Sequence, residues 1–232
     1  MLKADLHVHS EASNDGNASV PEILDRAREV GMDVVCITDH DEIGNSLEAR
    51  DLAPDYGLTA VPGVEVTTEK GHVLAYGVYQ KPPEGRPVSY TIDTIRELGG
   101  LAFLPHPFQK FRHGVGAISD CDGIEVYNSR LFTGIANRRA EKFALSNRLP
   151  MIGNSDAHIV EMVGRAYTKV LTDDRSLDGI LEALKQGKTT VEGRRTPWKL
   201  SVKQLLSSGY HAVTEKSWRR DKTSNNDYNN NG

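Results

Sequence analysis

The sequence predicts an α/β fold built on a mainly parallel sheet. Strand patterns and helix patterns alternate along most of the 232 residues, and repeated strand–helix units of this length imply parallel pairing. The strand candidates include short apolar runs, such as Val34-Val35-Cys36-Ile37 and Leu101-Ala102-Phe103-Leu104. Six of the eight histidines fall at the ends of successive strands or at the start of one. Parallel strands gather functional groups at their carboxyl ends, whether the sheet stays open or closes into a barrel.

In chain order, Leu2–Val8 reads as a strand. Val20–Val30 reads as a helix, with Ser19 able to cap it, Pro21 in its first turn and Gly31 to stop it. Ile23, Leu24, Ala27 and Val30 form its apolar stripe. Asp33–Thr38 is a buried strand and Ser46–Asp55 a weaker helix. Leu58–Val61, Val64–Thr67 and His72–Val78 read as strands around the Pro62-Gly63 turn. Tyr90–Leu98 is a helix ended by Gly99-Gly100. Leu101–Leu104 and Gly123–Tyr127 are strands, followed by a long helix over Leu131–Ser146. Met151–Gly153 and Thr168–Leu171 are short strands. Ser176–Lys185 is a helix with Leu177, Ile180, Leu181 and Leu184 on one face. Thr189–Val191 reads as a last strand and Val202–Leu206 as a last helix. No internal repeat recurs at a fixed period.

Composition excludes several classes. With 38% hydrophobic and 26% charged residues, the chain has material for a sizeable core and is not wholly disordered. No apolar run approaches the roughly 20 residues of a membrane span. The start, Met1-Leu2-Lys3-Ala4-Asp5, lacks the apolar core of a secretory signal. Two lone cysteines, Cys36 and Cys121, argue against a disulfide framework, so a reducing cytoplasm is the expected location. Charge is uneven: residues 1–184 hold 18 basic and 28 acidic groups, and residues 185–232 hold ten and four. The acidic part suits cations. The basic end reads as a solvated helix and loose tail, or as a surface for an anionic partner.

The chemistry sits in the histidines. His7 and His9 end the first strand in Asp5-Leu6-His7-Val8-His9, and His40 follows the second in Thr38-Asp39-His40. His72 opens the strand after Glu65. His106 follows Leu104-Pro105, and His158 closes Ser155-Asp156-Ala157-His158. Chance predicts about 0.3 His-x-His in such a chain but only about 0.02 with an Asp two residues earlier. Residues two apart on a strand share a face, so His7 and His9 can converge on one ion. Imidazole mixed with carboxylate, without thiolate, suits Zn, Mn or Fe. The six histidines with Asp15, Glu65 and Asp156 exceed what one ion needs. Two or three divalent ions sharing a bridging carboxylate is the natural reading, a cluster suited to polarising a phosphoryl oxygen and activating water.

The ordered set Asp5-Leu6-His7-Val8-His9-Ser10, Thr38-Asp39-His40, Pro62-Gly63-Val64-Glu65, His106-Pro107 and Ser155-Asp156-Ala157-His158 resembles the PHP (polymerase and histidinol phosphatase) superfamily. The resemblance covers residues 1–192. It implies a distorted (β/α)7 TIM-like barrel and metal-dependent phosphoester hydrolysis. By position it implies that His7, His9, Glu65 and Asp156 hold one ion, that Glu65 bridges to a second held by His72 and His106, and that Asp15, His40 and His158 hold a third. Where some members have a histidine downstream of the first motif, Ser13-Asn14-Asp15-Gly16 offers Asp15, resembling the branch that acts on nucleotides or small phosphodiesters. Asn-Asp-Gly is also a strong turn signal, so Asp15 reads as ligand, turn residue or both. The match of His72 rests on the Val73-Leu74-Ala75-Tyr76-Gly77 that follows it.

The organisation expected is a catalytic barrel over 1–192, a basic extension packing on it over 193–216, and a disordered tail over 217–232. Asp39 is a candidate to orient a ligand from behind, or a loop cap. Asn128 and Arg130 follow a strand, and Arg130 is a candidate to grip substrate phosphate, or a surface ion-pair residue. Asp39 and Arg130 are thus the candidate catalytic residues beyond the ligands, with Lys110 and His113 as further loop candidates. The expected substrate is a small phosphorylated molecule, with no membrane partner. A 3′-end exonuclease whose basic segment tracks nucleic acid is the alternative. A non-catalytic ribonucleoprotein subunit on the same fold is the third reading, and it would not need the ligands that this chain keeps.

Overall fold

The computed structural model describes residues 1–109, 114–131 and 133–206. The elements run β1 (Leu2–Val8), α1 (Val20–Glu29), β2 (Val34–Ile37), α2 (Gly44–Leu52), β3 (Thr59–Ala60), β4 (Gly63–Thr67), β5 (His72–Tyr76) and α3 (Val88–Glu97). They continue with β6 (Leu101–Leu104), β7 (Gly123–Asn128), α4 (Ile135–Asn147), β8 (Met151–Asn154), β9 (Ala166–Val170), α5 (Leu177–Lys185) and β10 (Thr189–Gly193). A last helical stretch covers 198–206. None of the described helices is long and apolar enough to cross a membrane.

The strands form two five-stranded sheets, ordered β10-β9-β1-β2-β3 and β4-β5-β6-β7-β8. This corrects the expectation of a mainly parallel sheet. Pairs β1/β2, β2/β3, β6/β7 and β7/β8 are parallel. Pairs β1/β9, β9/β10, β4/β5 and β5/β6 are antiparallel. Connection length gives one reason: only residues 68–71 join β4 to β5, far fewer than a parallel crossover needs. Among the described residues no continuous ladder closes a barrel. Isolated bridges link the two sheets, Val8 to Ala157 and His40 to Glu65, and side chains add to them: Thr168 Oγ1 donates to Gly153 O at 3.0 Å and Thr189 Oγ1 to Met151 O at 2.6 Å.

Three apolar clusters hold these layers. The central one lies between the sheets and takes Leu6, Cys36, Leu74, Tyr76, Phe103 and Ile152 from five strands. Ile180, Ala183 and Leu184 of α5 join it, beside Leu2, Leu101 and Val170, at the end of the sheets away from the histidines. Each fully buried Leu, Ile or Phe contributes about 1.5–3 kcal/mol. A second cluster packs α1 on the outer face of β1 and β2, and a third packs α3 and α4 on β4 to β7.

Local chemistry sets the helix ends. Glu22 accepts from Ser19 N at 2.9 Å and Ser19 Oγ at 2.7 Å at the start of α1, and Gly31 leaves the helix at φ 71°. Ser176 Oγ accepts from Gly179 N at 3.1 Å at the start of α5. Helix α4 is shorter than the Leu131–Ser146 expected, because Gly134 at φ 64° starts it only at Ile135. In the basic extension Leu200 packs on the α1 cluster, Gln204 is buried, and Lys203 pairs with Glu161. Residues 207–216 of that extension and the tail over 217–232, like Lys110 and His113, lie outside the described residues.

Candidate metal centre

The carboxyl edge of the sheets carries the histidines, and two irregularities aim them. Along β1, Asp5 pairs with Val35 but Val8 with Ile37, so one extra residue bulges between them. The bulge breaks the alternation: Leu6 joins the central core while His7 and His9 both turn into the site. Along β7 a matching slip between Glu125 and Tyr127 lets both Glu125 and Asn128 face inward, where Asn128 Nδ2 donates to Glu125 Oε2 at 2.9 Å. His72 arrives differently. It opens β5, and because β5 runs antiparallel to β4 and β6, its start lies at the edge where parallel strands end.

Four buried atoms form a cage. His7 Nε2 lies 3.1 Å from His9 Nε2. Both lie 3.2 Å from Glu65 Oε2, and they lie 3.6 and 3.5 Å from Asp156 Oδ1. A tetrahedral ion with bonds of about 2.0–2.1 Å separates its ligand atoms by about 3.3–3.4 Å, so these spacings fit one.

The tautomers fit as well. His7 Nδ1 faces Glu125 Oε1 at 3.1 Å and donates its proton there. Ser13 Oγ donates to Asp39 Oδ1 at 2.9 Å. Its lone pairs are therefore left to accept from His9 Nδ1 at 3.1 Å and His40 N at 3.0 Å. Both Nε2 atoms then present bare lone pairs to each other, which requires a cation or a proton between them. Burial disfavours an imidazolium, but Glu65, Asp156 and Glu125 outweigh it at His7 and hold its pKa well above the usual value. Burial is likewise outweighed at His9, where Asp156 and Glu65 lift the pKa to about 9. Burial would raise the carboxyl pKa of Glu65, but His40, His7 and His72 pull it well below the usual range.

Glu65 divides its two oxygens between two sets of histidines. Oε2 faces His7, His9 and, at 3.3 Å, His40 Nδ1. Oε1 faces His72 Nδ1 at 2.9 Å and His106 Nε2 at 3.3 Å. The donor groups close enough to share an ion differ from the expected second set. His72 groups with Glu65 and His40, and His106 groups with His7 and Asp156. A further group joins His9, Asp15, His40 and His158. In it Asp15 Oδ2 lies 2.9 Å from His158 Nε2, and Asp15 Oδ1 lies 3.9 Å from His40 Nε2. Burial takes His40 down to about 3, and burial with the Arg130 charge takes His158 down to about 4.

His106 and Asp156 sit in left-handed backbone, at φ 30° and 52°. Such conformations cost about 1–3 kcal/mol and persist where the surroundings enforce them. Here Glu125 Oε2 accepts from His106 N at 3.0 Å, and Asn128 Nδ2 donates to Asp156 Oδ2 at 3.0 Å.

Arg130 stands at the rim. Its Nη1 donates to His158 Nε2 at 3.2 Å and lies 3.7 Å from Asp156 Oδ2. Asp39 does not face the cluster. It accepts from Ser10 N, Ser10 Oγ and Ser13 Oγ at 2.6, 2.5 and 2.9 Å, so it positions His9 through Ser13 rather than touching reacting atoms.

Sequence reasoning missed Glu125 and Asn154. Glu125 is fully buried and receives His7, His106 N, Asn128 and Asn154. Its signal was a lone carboxylate inside the apolar run Gly123-Ile124-Glu125-Val126. Asp5 holds the loop behind Asp156 by accepting from Ser155 N at 3.0 Å and Gly164 N at 2.8 Å, and burial lifts its pKa to about 6.

A family model described as PHP-associated matches residues 134–189. An uncharacterized protein from Methanocaldococcus jannaschii is 36% identical over 152 residues, covering 60% of this chain and 89% of that one. A phosphoribosyl 1,2-cyclic phosphate 1,2-diphosphodiesterase from Eggerthella lenta is 35% identical over 85 residues, 34% of this chain and 32% of the relative. Among solved structures, a two-domain protein from Bacteroides vulgatus is described as containing a predicted PHP-like metal-dependent phosphoesterase. It superposes with a TM-score of 0.71 at 26% identity over 83% of this chain, which spans 65% of that protein's length. Fold and cluster together define a metal-dependent phosphoesterase, and the chain belongs to the PHP family.

Two outcomes are expected. Glu65→Gln keeps the fold but lowers metal stoichiometry and removes nearly all turnover, because one amide cannot serve two cations as a carboxylate does. Hydrolysis near the parent rate would show that Glu65 is not shared. Metal binding also releases protons at neutral pH, because His7 and His9 hold protons above their usual range when no cation is present. Affinity therefore rises with pH. Calorimetric titration with Zn²⁺ in buffers of different ionisation enthalpy measures the release, and the same heat in every buffer would contradict it.

Proposed function

We propose that this chain hydrolyses small phosphoesters, monoesters or diesters, nucleotides included, at the histidine–carboxylate cluster. The observation that carries the reading is Glu65, whose two oxygens serve two separate sets of histidines. Divalent ions at those sets, Zn, Mn or Fe, would activate a water and neutralise charge on the phosphoryl group. His7, His9, Glu65 and Asp156 would hold the first. Glu65 and His72, with His40 or His106, would hold the second. Asp15, His40 and His158 would hold a third, in competition with Arg130, which already supplies positive charge at His158.

The chain's own part is positioning. Glu125 and the Ser13–Asp39 pair fix the tautomers of His7 and His9, so that their lone pairs are ready before substrate arrives. Arg130 offers a planar guanidinium to two phosphate oxygens. It also lines a cleft of about 590 Å³ with Phe108, Leu131 and Ile135. That apolar wall next to the cluster suits the organic part of a small ester. The diesterase named among the relatives supports extending the reading to small diesters. The nucleic-acid alternative rests on the basic C-terminal segment, in which Lys203 is paired with Glu161 while Arg194, Arg195 and Lys199 are exposed.

The protein as purified is expected to hold at least two transition-metal ions per chain, and chelation is expected to abolish its activity in a screen of phosphomonoesters and phosphodiesters. Less than one ion per chain, with chelator-resistant turnover, would remove the proposal. Arg130→Ala is expected to lower kcat/KM by roughly 10- to 150-fold, the loss of one charge-assisted hydrogen bond, while metal is retained. The control is Arg138→Ala on the exposed face of α4. An equal loss in both, or none in Arg130→Ala, would place the phosphate grip elsewhere.

A further inference from the structure

A second cleft, of about 520 Å³, lies between the end of α1 and the β9–β10 pair and shares no lining residue with the histidine cluster. Three arginines line it: Arg26, Arg165 and Arg194. The fold forces two of them together. Gly193 pairs with Ala166 in the antiparallel ladder, and one step beyond it Arg194 N donates to Arg165 O at 2.7 Å. Arg26 comes from the last turn of α1.

The acids in the cleft do not neutralise these cations. Glu192 is taken by Lys169 and by Tyr167 Oη, which donates at 2.6 Å. Glu161 is taken by Lys203. Arg26 Nη1 reaches Glu29 at 3.1 Å, and Arg165 Nη2 donates to Arg195 O at 3.3 Å. The Nε atoms of Arg26 and Arg165 are both buried without a hydrogen-bond acceptor among the described residues. A buried guanidinium N–H left unpaired costs more than a typical hydrogen bond returns. Burial, with the charges of Arg194 and Arg26, also pushes the Arg165 guanidinium below its ordinary value.

We propose that Arg26, Arg165 and Arg194 form a second anion site, separate from the metal-ligand cluster, that takes a phosphate group. A tetrahedral oxyanion satisfies several guanidinium forks at once and removes the mutual repulsion of the arginines.

Titration calorimetry with inorganic phosphate on the metal-loaded protein tests the proposal. Arg165→Gln/Arg194→Gln is expected to weaken one phosphate-binding step by about tenfold or more, with metal content and phosphoesterase turnover unchanged. The single variant Arg194→Gln, at an exposed position, carries the same test should the double variant not fold. Without phosphate it is expected to melt above the parent, because repulsion with Arg165 is relieved. Phosphate binding identical in parent and variants would overturn the proposal. So would a loss matched by the exposed control Arg138→Gln.

Discussion

Two imidazole nitrogens, His7 Nε2 and His9 Nε2, face each other at 3.1 Å in a fully buried place. With the Nδ1 protons held by Glu125 and Ser13, both Nε2 atoms offer lone pairs to each other, so a proton or a cation has to stand between them. Much of the carboxyl edge serves this requirement. The β1 bulge turns both rings inward. Glu125 on one side and the Ser13–Asp39 pair on the other hold the protons on Nδ1. Glu65 and Asp156 supply the negative charge that makes a buried cation tolerable.

Much of this was legible in the sequence, and the reasons are specific. His7, His9, His40, Glu65, His106, Asp156 and His158 follow or lie within apolar strand runs, so their arrival at one edge follows from strand direction. His72 begins a strand instead, and its place depends on the short β4–β5 connection making that strand antiparallel. Periodicity could not register the bulges in β1 and β7, which make Leu6 and His7, or Glu125 and Asn128, face inward together. Local patterning likewise suggested mainly parallel pairing, where the chain forms two mixed sheets. The short β4–β5 connection was legible and points to antiparallel pairing, whereas the antiparallel β9–β10 pair, joined through α5, depends on tertiary placement. Glu125 escaped notice because a buried carboxylate on a strand gives no spacing signal of its own.

Arg130 and the Asp15–His158 pair occupy one corner of the site. His158 donates its Nδ1 proton to Asp156 O at 2.9 Å, so the Nε2 of the neutral ring is an acceptor, and Arg130 Nη1 donates to it at 3.2 Å. A fixed guanidinium and a third metal ion are thus alternative ways to place positive charge beside the same imidazole. They differ in chemistry: guanidinium binds phosphate oxygens without activating water.

The bridges that join the two sheets fall at His40–Glu65 and Val8–Ala157, within or beside the ligand set. Cations bound there would fasten a seam as well as prepare a reaction, while the packing of α5 and the hydrogen bond from Thr189 Oγ1 to Met151 O hold the opposite end. A cell short of metal would then hold a protein that loosens along one edge first, exposing backbone amides of β1 and β4 to exchange and to proteases. Metal supply would set how long each molecule lasts as well as how fast it turns over.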